Sequence, residues 1–327
     1  MPHAHGWIRA NDRQGETMTT PSPHAPSSVL DQLDAIVAHT RLMPLTSPVA
    51  ERFQRLLADP DTTLDAIVRV IKLDPSIAAR LLRGINSAYY GLPEPVVSLE
   101  RAIQLVGMAA VGTMIDTTSI LRIFTIRLPH AQRVNTLLDG LWRHSVATGV
   151  AARLLASRVG ASDPTPYFAA GLLHDIGKVA LLLLKTTEYE PVIRLAATER
   201  MPIIIAEHRS LDFDHAQLGH HLCVAWGQSD DISYAVRRHH NVRSGKADEV
   251  ASPMAAVVHV ADILARALGV GWWGDRVMPR LDPAASSALH LQPDDAATLL
   301  DALEKEYPRA LASLASLLGE SGPSIAD

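Results

Sequence analysis

The pair His174-Asp175 combines two residue types that bind metal ions, and it lies where an apolar helix is predicted to end. Ligands adjacent in sequence diverge by about 100° around a helix, so they can hold one ion between them or bridge two neighbouring ions. Burying both side chains without an ion or a strong polar partner would cost free energy. The glycine that follows, Gly177, permits a turn that residues with a Cβ atom resist. We therefore expect a metal-ligating pair at a helix end.

Further candidate ligands lie on both sides of this pair. His144 shares a predicted helical stripe with Leu141 and Thr148, which turns its ring towards the core. A single histidine in such a place is more often a hydrogen-bonded core residue than a ligand. Asp262 lies within an apolar run, Val257–Leu264, and an aspartate there must be solvated, paired or coordinating.

Three more histidines complete the candidate set, one after Asp214 and two as an adjacent pair. Glu207, which precedes the first of them, could orient a ligating histidine through a hydrogen bond. Buried histidines and aspartates on separate apolar helices need one another, or an ion, to be satisfied. We therefore predict that the candidate ligands converge. They are His144, His174, Asp175, His215, His239, His240 and Asp262.

The pattern formed by His144, His174-Asp175 and Asp262 resembles the HD superfamily of metal-dependent phosphohydrolases. More closely, the chain resembles the HDOD domain, the HD-related output domain of bacterial signalling proteins, over roughly residues 30–270. The motifs that carry this resemblance are Met43–Pro48, Leu73–Pro75, Asn86–Gly91, Ser98–Ile103, Leu141–Ser145, Gly171–Lys178, Asp214–Gly219, Trp226-Gly227 and His239-His240.

The resemblance implies a bacterial origin, an all-α fold in two lobes, and a two-metal site formed by the seven candidate ligands. HDOD domains generally have no established catalytic activity, so it favours a regulatory protein that binds signalling protein partners or a small phosphorylated ligand. The alternative is a metal-dependent phosphohydrolase of phosphodiesters, including cyclic dinucleotides. In that case Asp175 and Lys178 would be the catalytic residues. A divalent pair, iron or manganese, would clamp the phosphate with Asp175 as a ligand, and Lys178 would neutralise a phosphate oxygen. Lys178 could equally be a solvated surface residue.

Two departures from the related families bear on the activity. After His240, the segment Asn241–Lys246 lacks the Gly-Tyr-Pro signature of HD-GYP phosphodiesterases, which argues against cyclic-dinucleotide cleavage. One helical turn before His144, where some relatives place a glutamate, this chain has Gly140, which argues against a third metal. The pair Trp272-Trp273 fits either a partner-docking patch or, preferably, aromatic packing under a loop.

Helices must position these residues, because apolar residues recur with helical spacing almost everywhere after the first segment. Alternating β-branched segments bounded by turns are missing, so the predicted fold class is all-α, a two-lobed helical architecture of the HDOD and HD type. Asp74-Pro75 and Ser98 fit helix starts, and Gly107 fits a helix end.

A break near Leu128–His130 separates the two predicted lobes. The first segment is rich in proline and poor in aliphatic residues, which is typical of disorder. The predicted organisation is a disordered tail (1–28), an N-terminal helical lobe (29–130), an HD-like helical lobe with the metal site (131–275), and a linker with a C-terminal helix (276–327).

Composition limits the function classes. With 30 basic and 35 acidic residues the net charge is −5, which argues against a dedicated nucleic-acid binder. No run approaches 18 consecutive apolar residues, so we expect no membrane association, and no secretory signal is recognisable. The single cysteine, Cys223, excludes an intramolecular disulfide. We expect a cytoplasmic protein.

Overall fold

The computed structural model describes residues 28–41, 48–57, 59–86, 94–243, 252–272, 274–292 and 294–318 of the chain. Within these ranges every regular element is a helix, and no strand is formed. The all-α fold class is therefore confirmed. The predicted disordered tail, residues 1–28, falls almost entirely outside the described residues.

Sixteen α-helices and one 3-10 turn lie within the described residues. The first six are α1 (Val29–Arg41), α2 (Pro48–Leu57), α3 (Leu64–Ile71), α4 (Pro75–Ile85), α5 (Leu99–Val106) and α6 (Met108–Leu121), followed by a 3-10 turn, Arg122–Thr125. The others are α7 (Gln132–Arg158), α8 (Thr165–Leu173), α9 (Ile176–Leu184), α10 (Thr186–Glu199), α11 (Ile203–Leu211), α12 (His215–Ala225), α13 (Asp230–Arg238), α14 (Pro253–Leu268), α15 (Pro283–Ala288) and α16 (Asp295–Leu318).

The predicted helix ends are set by local capping. Asp74 accepts a hydrogen bond from the Ile77 amide (3.2 Å) before α4, and Ser98 accepts one from the Arg101 amide (3.1 Å) before α5. Gly107 ends α5 with a φ of 86°, a backbone conformation that favours glycine. These boundaries follow from the residue types alone.

The helices enclose two hydrophobic cores. The smaller core lies among α2–α6, with Phe53, Ile67 and Ile85 fully buried. The larger core surrounds α7, whose Trp142 and Val150 are fully buried. The membership of these two cores differs from the predicted lobes in one respect.

Helix α1 belongs to the larger core, although we assigned residues 29–130 to one N-terminal lobe. Leu33, Ile36 and Val37 are buried in the core around α7, and α1 packs against α9 and α12. The spacing of apolar residues shows that α1 has a buried face but not which core that face covers.

The C-terminal part, predicted as a linker and a helix (276–327), also packs into the second lobe as far as residue 318. Leu303 of α16 is fully buried in the larger core. Arg153 of α7 pairs with Glu306 of α16, and Arg158 Nε lies 2.9 Å from Asp295 Oδ1. The residues after 275 are therefore part of the same packed unit.

The segment Thr165–Leu184 comprises α8, α9 and the junction between them. Of the described residues, it is the one helical stretch that is long and apolar enough by composition to cross a membrane. The most apolar window of this segment is 89% buried inside the protein. A core helix passes the same test, and this segment forms the centre of the larger core.

Candidate metal centre

The structure brings all seven candidate ligands together in the second lobe, in two adjacent groups. Within each group the ligand atoms lie within 4.8 Å of one another. Group one consists of Asp175, His215, His239 and His240. Group two consists of His144, His174 and Asp262. Six of the seven side chains belong to residues at most 3% exposed, and His240 is partly exposed.

The ligands of group one lie at helix ends. Asp175 is the N-cap of α9, directly after the last turn of α8, and His215 is the first residue of α12. His239 ends α13. Gly177 lies within α9, where an added Cβ would be 2.1 Å from the carbonyl oxygen of His215. The expected role of Gly177 in a turn is therefore wrong, because this glycine instead lets α9 and α12 approach closely.

The Asp175 carboxylate lies between the two groups. Its Oδ1 atom is 3.3 Å from His215 Nε2 and 3.8 Å from His239 Nε2. Its Oδ2 atom is 3.3 Å from His174 Nε2 and 3.8 Å from His144 Nε2. These separations are longer than the donor–acceptor distances of good hydrogen bonds. Ligands about 2.1 Å from a common ion, at right angles to one another, are about 3 Å apart. The arrangement suits a carboxylate that bridges two ion positions.

Hydrogen bonds turn the histidine Nε2 atoms towards the cluster. His174 Nδ1 donates to the carbonyl of Gly171 and His239 Nδ1 to that of Val236, each over 2.7 Å. A carbonyl can only accept, so Nδ1 carries the proton in both rings and the Nε2 lone pair is available. This is the tautomer that a metal-ligating imidazole needs.

Several buried polar atoms of the cluster lack hydrogen-bond partners. They are His174 Nε2, His239 Nε2 and Asp175 Oδ1, and all three face the interior of the cluster. An unsatisfied buried polar group costs roughly 1–3 kcal/mol. A divalent cation would satisfy imidazole lone pairs and a carboxylate oxygen at once. The residues present therefore fit a metal ion.

Two buried side-chain cations also contact the cluster. Lys178 Nζ is 2.7 Å from Asp175 Oδ2, and Arg266 Nε is 2.9 Å from Asp262 Oδ1. Arg266 also lies 3.4 Å from Asp275. Because Lys178 is fully buried, the alternative of a solvated surface lysine is wrong. Its contact with a phosphate oxygen stays a prediction.

Burial and neighbouring charges keep the site in the protonation states that ligation requires. Burial lowers the pKa of His144 to about 4 and holds the pKa of His239 well below its usual range. Burial would raise the pKa of Asp175, but His174 and Lys178 outweigh it and hold this pKa well below the ordinary value. His144 and His239 are therefore neutral, and the Asp175 carboxylate is charged, at neutral pH.

Glu207, suggested as an orienting residue, does orient His215. Its Oε2 atom accepts hydrogen bonds from His215 Nδ1 (2.6 Å) and the His215 amide (2.9 Å). Its Oε1 atom accepts from the Tyr189 hydroxyl (2.6 Å). Burial and Glu207 raise the pKa of Tyr189 well above its usual value, so this hydroxyl remains a donor.

Sequence reasoning missed Tyr189, Arg266 and Asp275. The signal for Arg266 was present, because it follows Asp262 by four residues and therefore lies on the same face of α14. Tyr189 and Asp275 come from α10 and from the loop after α14, and no local spacing links them to the cluster. His259, which we did not include, accepts from the Asp282 amide and donates to the His239 carbonyl, so it supports a ligand backbone.

A tryptophan fills the space beside Gly140, one turn before His144. The Trp272 amide donates to the Gly140 carbonyl (2.9 Å), and an added Cβ at residue 140 would lie 2.7 Å from Trp272 Cβ. Trp272 packs against the larger core, as the preferred interpretation expects, while Trp273 lies outside the described residues. A glutamate at position 140 would therefore clash with this loop.

The fold and the site define a class of two-lobed helical proteins with a buried histidine–aspartate cluster. The family model of the HDOD domain matches residues 43–242, more than half of the sequence. The chain belongs to the HDOD domain family.

One relative shares sequence similarity over most of the length of this chain. An uncharacterized protein of Treponema pallidum (strain Nichols) is 26% identical over 249 residues, which cover 74% of this chain and 44% of that protein. This chain thus spans less than half the length of that relative.

Two solved structures share the fold. A Marinobacter aquaeolei VT8 protein, described as a candidate signal transduction protein, is 21% identical with a TM-score of 0.67, covering 89% of this chain and 66% of its own. A Shewanella amazonensis SB2B protein, described as a candidate phosphohydrolase, is 17% identical with a TM-score of 0.64, covering 90% of this chain and 99% of its own. At these identities the likeness shows the fold alone.

Proposed function

We propose that this chain is a regulatory HDOD protein in which a divalent cation bound at group one stabilises the second lobe, without phosphodiester hydrolysis. Signalling proteins or a small phosphorylated ligand would then recognise the conformation that the ion holds. The observation that carries this proposal is the burial of the ligand set.

A catalytic ion needs a coordination position that substrate and water can reach. Six of the seven candidate ligands belong to residues at most 3% exposed, which leaves the partly exposed His240 as the ligand nearest to solvent. The Trp272 loop packs against the helical turn that precedes His144. A bulky phosphodiester would have to displace packed side chains to reach both ion positions.

The buried side-chain cations indicate that the two groups do not need ions equally. Lys178 and Arg266 already neutralise the carboxylate oxygens that face group two. Asp175 Oδ1, which faces group one, has no hydrogen-bond partner. We therefore expect one tightly bound ion, iron or manganese, held by Asp175 and the histidines of group one.

The second candidate function is a metal-dependent phosphohydrolase. It is favoured by the Asp175 carboxylate, whose two oxygens face different ligand groups as in a site for two ions. Two bound ions would supply Lewis acidity and an activated water. Asp175 would hold both ions, and Lys178 would have to leave its ion pair with Asp175 to contact a phosphate.

Metal analysis and a turnover assay separate the two functions. Protein purified without a histidine tag should contain about one equivalent of iron or manganese per chain, and the Asp175→Ala variant should contain none. Neither protein should cleave bis-p-nitrophenyl phosphate or a cyclic dinucleotide with added Mn²⁺ or Fe²⁺. Glu304→Ala, which removes an exposed carboxylate of α16, is the matched control and should retain the ion. Metal-dependent turnover by the wild type that Asp175→Ala abolishes would establish the hydrolase instead.

A further inference from the structure

A pocket lies between α7, α16 and the loop that follows α14. Its volume is about 480 Å³, which is in the range of small-ligand sites. Its main lining residues are Arg143, Gly271, Tyr307, Pro308, Leu311 and Ala312. None of the lining residues that the structure describes is acidic, and Arg143 supplies the positive charge.

Arg143 differs from two of the other arginines of the same helix. Arg153 and Arg158 each pair with a carboxylate of α16, Glu306 and Asp295. Arg143 makes no ion pair with any described residue, and its buried Nε atom has no hydrogen-bond partner. A partly desolvated guanidinium without a counter-charge is unfavourable, and a carboxylate or phosphate offers the planar, bidentate partner that it lacks.

We propose that this pocket binds a small organic anion, with its carboxylate or phosphate group on Arg143. Val270, Pro308 and Leu311 make the rest of the lining mainly apolar, and the Tyr307 ring adds an aromatic face. The ligand therefore carries a compact apolar or aromatic body beside its anionic group. This inference deepens the proposed regulatory function, because it names the class of small ligand and where it binds.

The loop that lines the pocket packs against the helix that carries the candidate ligand His144. Gly271 has a φ of 77°, and an added Cβ there would lie 2.4 Å from the Gly140 carbonyl oxygen and 2.6 Å from the His144 amide nitrogen. The loop that lines the pocket thus packs directly on the helical turn that carries a candidate metal ligand. A ligand that moves Gly271 must also move this turn, so anion binding and metal binding should affect each other by the same factor.

Calorimetric titration of the full chain with phenyl phosphate, benzoate and neutral benzyl alcohol tests the proposal. The two anions should bind and the alcohol should not, and comparing the anions shows which head group the pocket prefers. Arg143→Met keeps the apolar stem and should weaken binding about tenfold to a hundredfold, since a charged hydrogen-bonding partner is lost. Arg143→Lys should retain part of the affinity. Arg309→Met removes an exposed arginine of α16 that does not line the pocket, and it should change nothing.

A second variant keeps the test decisive if Arg143→Met does not fold. Ala312→Phe places a ring at the exposed edge of the pocket and should abolish binding with the charge intact. Binding that survives both pocket variants, or that is equally strong for benzyl alcohol, would overturn the proposal. Retained anion binding in a chain that proves to hydrolyse phosphodiesters would refute the proposed function while leaving this pocket in place.

Discussion

Group one and group two use the same two ligand types and share the Asp175 carboxylate, but their charges are satisfied differently. In group two, Lys178 and Arg266 contact the carboxylate oxygens that face the cluster. In group one, Asp175 Oδ1 faces two imidazoles at 3.3 and 3.8 Å without a hydrogen bond. The comparison shows that a ligand constellation does not by itself indicate how many ions bind. Buried lysine and arginine side chains can take the place of an ion.

The largest expected effect comes from removing the residue that both groups share. Asp175→Ala takes away a ligand of group one and leaves the Lys178 ammonium buried without its carboxylate. We expect the metal content to fall to background and the free energy of unfolding to fall by about 3–5 kcal/mol, as for a broken buried pair. Elemental analysis and urea denaturation measure the two effects.

The double variant Asp175→Ala/Lys178→Met sharpens this result. It removes the stranded ammonium, so it should recover part of the lost stability but none of the metal. If Asp175→Ala kept its ion and unfolded within about 0.5 kcal/mol of the wild type, the ion-pair account of Lys178 would be wrong.

Arg266→Met tests whether a side-chain cation replaces an ion in group two. The change leaves Asp262 and Asp275 buried without their guanidinium, and we expect the metal-free protein to lose about 3 kcal/mol of unfolding free energy. Added Mn²⁺ should restore stability, and the number of bound ions should rise from one to two. If the Arg266→Met protein still binds one ion per chain, the Arg266 side chain does not take the place of an ion in group two.

Acid should destabilise the metal-free protein through its buried histidines. The pKa of His144 is about 4 in the folded chain against an ordinary value of 6.5, so the unfolded chain binds this proton first as the pH falls. Stability is therefore lost below pH 6.5, by about 2 kcal/mol between pH 7 and pH 5 from this residue alone. The lowered pKa of His239 acts in the same direction.

Denaturation of the metal-free wild type and of His144→Gln, from pH 7 to pH 5, measures this contribution. The variant should show the shallower pH dependence, whereas His39→Gln, at an exposed position of α1, should match the wild type. Equal slopes in all three proteins would show that His144 titrates normally.

The smallest expected effects come from the hydrogen bonds that orient His215, a candidate ligand of group one. Glu207→Gln keeps the shape of the residue but weakens the bond that orients His215, so the metal affinity should fall about 10–100-fold with the fold retained. Tyr189→Phe acts one bond further away and should lower the affinity less. Competition with a chelator measures both affinities, and Glu188→Gln, an exposed carboxylate of α10, is the control. If Tyr189→Phe lowers the metal affinity more than Glu207→Gln does, Tyr189 does not act through Glu207.

Local features of this molecule could be predicted from the sequence. The Ser98 cap, the Gly107 helix end and the inward face of His144 depend on neighbours within a few positions. The convergence of the seven candidate ligands could be predicted for two reasons. Buried polar groups without partners cost free energy, and the HDOD resemblance implies a shared site.

Contacts between distant segments could not be predicted. Helix α1 has an apolar face that would fit either core, and only the packed chain places it against α9 and α12. The Asp275 contact with Arg266 and the Tyr189 contact with Glu207 also join separate elements. Gly177 shows the same limit, because its lack of a side chain matters for a helix that follows it by many residues.

The polar residues in Thr165–Leu184 have a consequence during synthesis, before the second lobe has formed. These 20 residues pass a composition test for a bilayer-spanning helix, and Asp175 and Lys178 are its only charges before Leu184. Each such charge near the middle of a span adds roughly 2.5–3.5 kcal/mol to the cost of insertion by the translocon. The two charged cluster residues thus also make insertion of this segment into lipid less favourable. A change of both to leucine would remove that barrier together with the ion pair.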